Sequence, residues 1–143
     1  MTIYTAGTFD LLHFGHINLL KQCRKIAGPK GRVIVALNPD EFVEKYKKVR
    51  PVMSFVERKR MLEEISYVDQ VIANEGGEDA KVSIEKAKPD MIVIGSDRAK
   101  KDYYKQMNFT QEWLDEHGIM LCYVPYTWEI STTDIKKRMA QLK

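Results

Sequence analysis

Metal-binding side chains are scarce in this chain. Its 143 residues include only two cysteines and three histidines, and no Cys-His cluster has the spacing of a zinc site. Cys23 and Cys122 stand far apart in apolar-patterned segments, which suits buried thiols in a reducing compartment better than a disulfide. Long hydrophobic runs are also missing: none approaches the ~20 residues that span a bilayer. The N-terminus shows neither the charged region nor the cleavage site of a signal peptide. A cytoplasmic protein without a membrane partner is therefore expected. There is no excess of one charge: 23 Lys and Arg against 20 Asp and Glu leave a net +3, too little to imply a nucleic-acid partner. Internal repeats, low-complexity tracts and linkers are absent, so a single domain is expected, and a domain of this length can bury a real core.

What remains is a regular alternation of strand and helix signals. Strands are expected at Ile3–Ala6, Arg32–Leu37, Gln70–Ala73, Met91–Ile94 and Met120–Val124. The second is apolar almost throughout, as a strand covered on both faces should be. Helices are expected from Gly15 or His16 to Ala27, over Pro39–Lys45, from Ser54 to about Ile65, over Asp79–Ala87 and Thr110–His117, and from Ser131 or Thr132 onward. Gly28-Pro29 and Gly118 supply stops. Ser54-Phe55-Val56-Glu57 reads as a capping box, with Met61, Leu62 and Ile65 on the inward side of its helix. Five strands separated by helices imply an α/β fold: a Rossmann-like, doubly wound domain with a five-stranded parallel sheet and helices on both faces. Ligands of such sheets sit beyond the carboxyl ends of the strands. Gly7–His16, Asn38, Ser96-Asp97 and Ser131–Thr133 all follow strand ends.

Two of the three histidines, His13 and His16, fall in the first of these segments. Three positions apart at a helix start, they share a side, near free backbone N–H groups and a dipole that favour an anion. Imidazoles there can follow the charge that builds on a phosphorus during in-line attack. Phosphoryl and nucleotidyl transfers need mainly positioning and charge neutralisation. A zinc pair would require a third ligand, and His117 lies on a separate helix without a partner motif. Lys45, Lys47, Lys48 and Arg50, followed by Arg58, Lys59 and Arg60, make a basic run. A proline and a helix start interrupt it, so it reads as a loop lining an anion site.

Thr8-Phe9-Asp10 followed by His13-Phe14-Gly15-His16 resembles the HxGH motif of the nucleotidyltransferase superfamily. Ile130-Ser131-Thr132-Thr133 is similar to that superfamily's second motif, and Gly95-Ser96-Asp97 to its G-x-D turn. Phe9-Asp10-Leu11-Leu12-His13 and Tyr67-Val68-Asp69 most resemble the cytidylyltransferase branch, and within it the pattern is similar to that of the glycerol-3-phosphate cytidylyltransferases. The resemblance implies that His13 and His16 contact the triphosphate and stabilise the transition state, with Lys47, and after it Lys45 or Lys48, neutralising phosphates. It implies that Thr8 and Phe9 border the nucleotide through backbone groups and that Ser131, Thr132 and Thr133 bind the β- and γ-phosphates. Ser131 is also a helix cap, which uses the same N–H groups. Asp97 borders the ribose or base, or simply closes its turn. Arg58 matches a family helix start, and is free to bind the acceptor's phosphate or to pair with Glu57 or Asp69.

The implied reaction transfers CMP from CTP to a small phosphorylated acceptor and releases pyrophosphate. Mg²⁺ would be held mainly by triphosphate and water, and the assembly would be a homodimer. The product would be a CDP-linked precursor of a capsule, wall polymer or lipid. Two departures bear on the acceptor. Tyr126-Thr127-Trp128-Glu129 stands where the glycerol-3-phosphate enzymes have Arg-Thr-x-Gly, and Ser66 replaces the arginine of their Arg-Tyr-Val-Asp run. Arg98, Lys100, Lys101 and Lys105 are candidates to replace the lost charge, and Glu129 suits an acceptor with an amine or amide, such as a phosphorylated amino acid. Rival readings are an ATP-dependent adenylyltransferase of the flavin- or heptose-modifying kind, and a nucleotide-binding module without turnover.

Overall fold

A computed structural model describes residues 1–97 and 102–142. The elements run β1 (Thr2–Gly7), α1 (Phe14–Ala27), β2 (Arg32–Leu37), α2 (Asp40–Lys47), α3 (Phe55–Glu63), β3 (Gln70–Ala73), α4 (Lys81–Ala87), β4 (Met91–Gly95), α5 (Tyr103–Met107), α6 (Gln111–Glu116), β5 (Met120–Val124) and α7 (Thr132–Ala140). The five strands form one parallel sheet in the order β3-β2-β1-β4-β5. β1 is central, paired with β2 from Thr2–Arg32 to Gly7–Leu37. The order reverses at β1, so the crevice beside its carboxyl end is where such a sheet takes a ligand.

The period-2 alternation of β1 divides the core. Ile3 packs with Cys23 and Ala27 of α1, and Leu62 of α3 joins Leu20, Val35 and Leu37 on that face. Tyr4 points the other way, into a cluster with Ala80, Ile84, Phe109 and Leu114 of the α4–α6 side. Cys23 and Cys122, distant in sequence, meet in the α1-side cluster as free thiols. Burial, with a smaller push from Cys122, raises the Cys23 thiol to about 12, so it is an inert apolar group.

The expected strands and helices are present, with shifts that have local causes. α1 begins at Phe14 because His13 itself is its cap. α2 runs two residues past the expected Lys45, to Lys47, and Lys48 ends it in the left-handed region at φ 65°. The Ser54/Glu57 capping box is formed, but α3 closes at Glu63, and Met61, expected inward, is exposed. α4 starts at Lys81 and not Asp79. Thr110 is the cap of α6, and Gly118 stops it at φ 65°. α5 has no counterpart in the sequence reading. Arg98, Lys100 and Lys101 lie outside the described residues, and Lys105 is exposed on α5. Among the described residues, no helix is long and apolar enough to cross a membrane.

Candidate active site

The β1–α1 loop is held in a conformation that its sequence does not favour. Phe9 and Leu11 both have positive φ, at 50° and 48°, a cost of about 1–3 kcal/mol for each such residue. Two anchors hold them. Phe9 is buried in the α1–α3 core. Asp10, between them and only 4 % exposed, accepts from the Leu11 N–H at 3.1 Å, the Met53 N–H at 2.9 Å and the Val52 N–H at 2.7 Å. One carboxylate thus pins the α2–α3 connection against the histidine loop.

The histidines are fixed by a reciprocal cap. Nδ1 of His13 accepts from the Gly15 N–H at 3.1 Å, and Nδ1 of His16 accepts from the His13 N–H at 3.2 Å. A ring nitrogen that accepts carries no proton, so each neutral ring holds its proton on Nε2, at the edge away from the backbone. The rings are stacked, 3.8 Å between centroids. Burial, then His13, pushes His16 down to about 3 against an opposing pull from Asp10, and burial lowers His13. At neutral pH both are therefore neutral Nε2–H donors. The sequence led us to expect free backbone N–H groups facing an anion. Instead the imidazoles take the Gly15 and His13 N–H groups and present their own donors beyond them.

Gly15 is required sterically: a Cβ there would lie 2.9 Å from both Cε1 and Nδ1 of His13, with Ile130 Cγ2 at 3.5 Å. Ile130 thereby seats the second motif on the first. Thr132 Oγ1 donates to the Asp10 carbonyl at 2.7 Å, and Asn18 Nδ2 to Thr127 Oγ1 at 3.1 Å. Ser131 caps α7, accepting from the Asp134 N–H at 3.0 Å, and Thr133 is exposed beside it. The expected meeting of His13, His16 and Ser131–Thr133 is thus in place, although the Thr132 hydroxyl is already engaged with Asp10.

On the β4–β5 side, Gly95 leaves room for its neighbours. A Cβ there would stand 2.7 Å from Asp97 Oδ1 and 3.3 Å from Tyr126 Cδ2. The Tyr126 N–H donates to Ser96 Oγ at 3.1 Å, its ring meets Trp128 edge to face at 4.6 Å, and Glu129 is exposed. On the β2 side, Lys45, Lys47 and Lys48 are exposed. Lys48 Nζ donates to the Lys45 carbonyl, Lys47 Nζ lies 5.6 Å from the centre of the Tyr46 ring, and Lys45 borders a cavity with Glu41, Phe42 and Gly77.

Arg58 is placed differently from its assignment to the acceptor's phosphate. Its side chain is fully buried. Nε donates to the Met53 carbonyl, Nη1 to the Thr8 and Asn38 carbonyls, and Nη2 to Asp40 Oδ1 at 2.6 Å. It holds the loops of the site together from below and presents no charge to a ligand; Asp69 pairs with Arg24. Burial pushes the Asp40 carboxyl up, but bonds from Arg58 and the Phe55 N–H outweigh it and leave it below the usual range. The sequence reading gave no role to Asp10, Tyr46 or Asn74. Asp10 stood inside the first motif, but its three N–H partners come mainly from a loop forty residues on, which no local pattern displays.

Comparison with known proteins agrees with this geometry. The chain is 38% identical over 142 residues to the glycerol-3-phosphate cytidylyltransferase of Bacillus subtilis (strain 168), covering 98% of each. It is 31% identical over 142 residues to the FAD synthase of Korarchaeum cryptofilum, covering 98% of this chain and 92% of that one. A solved lipopolysaccharide core biosynthesis protein from Thermoplasma volcanium GSS1 superposes with a TM-score of 0.70 at 26% identity, over 89% of this chain and 98% of that one. The cytidylyltransferase-like family model matches residues 4–138. Nearly the whole sheet, both motifs and the crevice between them lie within that match: the chain belongs to the cytidylyltransferase-like family and is an enzyme of the nucleotidyltransferase type.

Proposed function

We propose that this chain transfers CMP from CTP to a small phosphorylated acceptor, with glycerol 3-phosphate the first candidate, releasing pyrophosphate and forming a CDP-linked product. The observation that carries this reading is the junction of the two motifs: paired Nε2–H donors at the start of α1, with the start of α7 bonded to Asp10 of the same loop. An acceptor phosphate oxygen attacks the α-phosphorus and the bond to pyrophosphate breaks. Charge grows on the α-phosphate oxygens, where the neutral imidazoles of His13 and His16 donate hydrogen bonds. Ser131 and Thr133 at the α7 start and the exposed lysines Lys45, Lys47 and Lys48 serve the remaining phosphates. Thr8 and Phe9, through their backbone groups, and Asp97 border the nucleotide.

Mg²⁺ would arrive on the triphosphate, held by phosphate oxygens and water, and would neutralise charge on the leaving pyrophosphate. The Asp10 carboxylate beside the histidines already gives both oxygens to backbone N–H groups, which suits a metal carried by the nucleotide. A homodimer in the cytoplasm completes the reading. The test is pyrophosphate release with CTP and ATP against a panel of phosphorylated acceptors. His16→Ala should fold normally and lose ~10²-fold or more in turnover, the cost of one donor aimed at transition-state charge. Near-normal turnover in that variant overturns the assignment.

A second reading, ATP as the nucleotide, is favoured by the similarity to FAD synthase, while Tyr126 and Glu129, in place of the glycerol-3-phosphate enzymes' arginine and glycine, bear on the acceptor. An amine-bearing acceptor is the corresponding alternative on the acceptor side. Glu129→Gln changes the acceptor order if Glu129 reads that amine and leaves it unchanged if not.

A further inference from the structure

A line of buried polar side chains runs beneath the site from the β3 side, and neither motif accounts for it. Asn38 follows β2, Asn74 follows β3 and Ser83 lies in α4; they are 8 %, 5 % and 1 % exposed. Ser83 Oγ donates to Asn74 Oδ1 at 2.8 Å and lies 3.2 Å from the Glu75 carbonyl. Asn74 Nδ2 donates to Asn38 Oδ1 at 2.8 Å. Asn38 Nδ2 donates to Thr8 Oγ1 at 3.2 Å. Buried amides and hydroxyls are costly unless paired, and an apolar trio would close the same space without that demand. The line ends in the loop that carries His13 and His16.

We propose that Asn74 and Ser83, acting through Asn38, are positioning residues that turn the Thr8 hydroxyl into a donor facing the acceptor's phosphate. Each link is donor to acceptor in the same sense, so the line has a direction. Thr8 Oγ1 receives a hydrogen from Asn38 and must send its own elsewhere. Its other hydrogen-bond neighbour among the described residues is the Tyr46 hydroxyl at 3.4 Å, beyond the ordinary length of an O–H···O bond. The Thr8 hydrogen is therefore loosely engaged and available to a phosphate oxygen. The line reaches Thr8 from the β2–β3 half of the sheet. Asp97, read as bordering the nucleotide's ribose or base, follows β4 across the central strand, while Lys45 and Lys48, read as acceptor or phosphate ligands, follow β2 on the half from which the line arrives. The acceptor thus falls on the Thr8 side, and bonds along such a line polarise one another.

This inference rests on the nucleotidyl-transfer reading, and the experiment separates the two. Thr8→Val, Asn74→Ala, Ser83→Ala and the double variant Thr8→Val/Asn74→Ala are compared with the unaltered protein, Ser83→Ala serving if Asn74→Ala folds poorly. CTP binding by calorimetry should stay within about twofold in each, while kcat with CTP and glycerol 3-phosphate falls about tenfold, the rate equivalent of one ordinary hydrogen bond. Thr8→Ser should restore turnover. The double variant should be no slower than Thr8→Val alone, since residues in one network do not add. Additive losses, or equal losses in CTP binding, make the line a packing feature and overturn the inference. Failure of the unaltered protein to turn over this pair refutes the substrate reading instead. A readout without turnover then decides the line: by NMR, the Asn38 side-chain amide should be protected from exchange and lose protection in Ser83→Ala. Unchanged protection overturns the inference.

Discussion

Gly15→Ala isolates the geometry of the histidine pair from the stability of the fold. An alanine Cβ would stand 2.9 Å from Cε1 and Nδ1 of His13, where ordinary carbon contacts lie near 3.5–4.0 Å. The Gly15 backbone is fixed by α1, so the ring must retreat, by roughly 0.5–1 Å on that contact distance. A retreat of that size stretches the 3.1 Å bond from the Gly15 N–H to Nδ1 beyond hydrogen-bonding range. It also loosens the stack on His16. Two stability effects oppose each other. Losing the cap costs about 1 kcal/mol, and replacing a helical glycine by alanine returns about 0.5–1 kcal/mol. Because the His13 ring is only partly buried and can yield, the melting temperature should move by no more than about 3–4 °C, the shift of one kcal/mol in a domain of this length. Turnover should fall ~10²-fold, as expected when a catalytic donor is displaced by about 1 Å. The assay is pyrophosphate release beside a thermal melt. Wild-type kcat/KM in Gly15→Ala would refute the reasoning, and so would a loss of several kcal/mol, because the ring would then not have yielded.

The α/β architecture was legible because its signals are local. The apolar run of Arg32–Leu37, the Ser54/Glu57 box and the Gly118 stop each depend on neighbours within four residues, and each stands where the sequence put it. The histidine motif was legible for the same reason. What could not be read is whatever depends on the parallel sheet bringing distant residues together. Arg58 looked like an exposed phosphate ligand because its helix carries three consecutive basic residues. Its burial follows from carbonyls at Thr8 and Asn38 that only the sheet places within reach. Asp10 and Asn74 went without roles because their partners lie 42 and 36 residues away. The His13 cap was missed in a different way: serine or aspartate is the usual signal at that position, and an imidazole that caps while exposing Nε2–H reads in sequence only as a ligand.

Three further outcomes follow. Thr5→Val should raise stability by about 1 kcal/mol, because the Thr5 hydroxyl is fully buried with no partner among the described residues and an isosteric methyl removes that penalty; a urea titration showing a loss would contradict it. Arg58→Met should destabilise by about 3–5 kcal/mol by taking the shared donor from the Met53, Thr8 and Asn38 carbonyls and from Asp40 Oδ1, and Arg58→Lys should not rescue it, since one ammonium cannot reach four acceptors; denaturation midpoints near wild type would return Arg58 to the ligand side. His16 makes stability depend on pH in a fixed direction. Folded, it is held down to about 3 by burial and by His13; unfolded, it titrates near 6.5. Between those values the unfolded chain binds the extra proton, so this contribution is fully present above pH 6.5 and is lost as pH falls toward 3, at up to about 1.4 kcal/mol per unit. The carboxylates titrate in the same window, so the test is a difference: unfolding free energies at pH 7.5, 6 and 4.5 for wild type and His16→Gln. The wild type should lose more on acidification than the variant. Parallel slopes would mean that His16 is solvated and free to become a cation, and the neutral Nε2–H donor assigned to it would have to be given up.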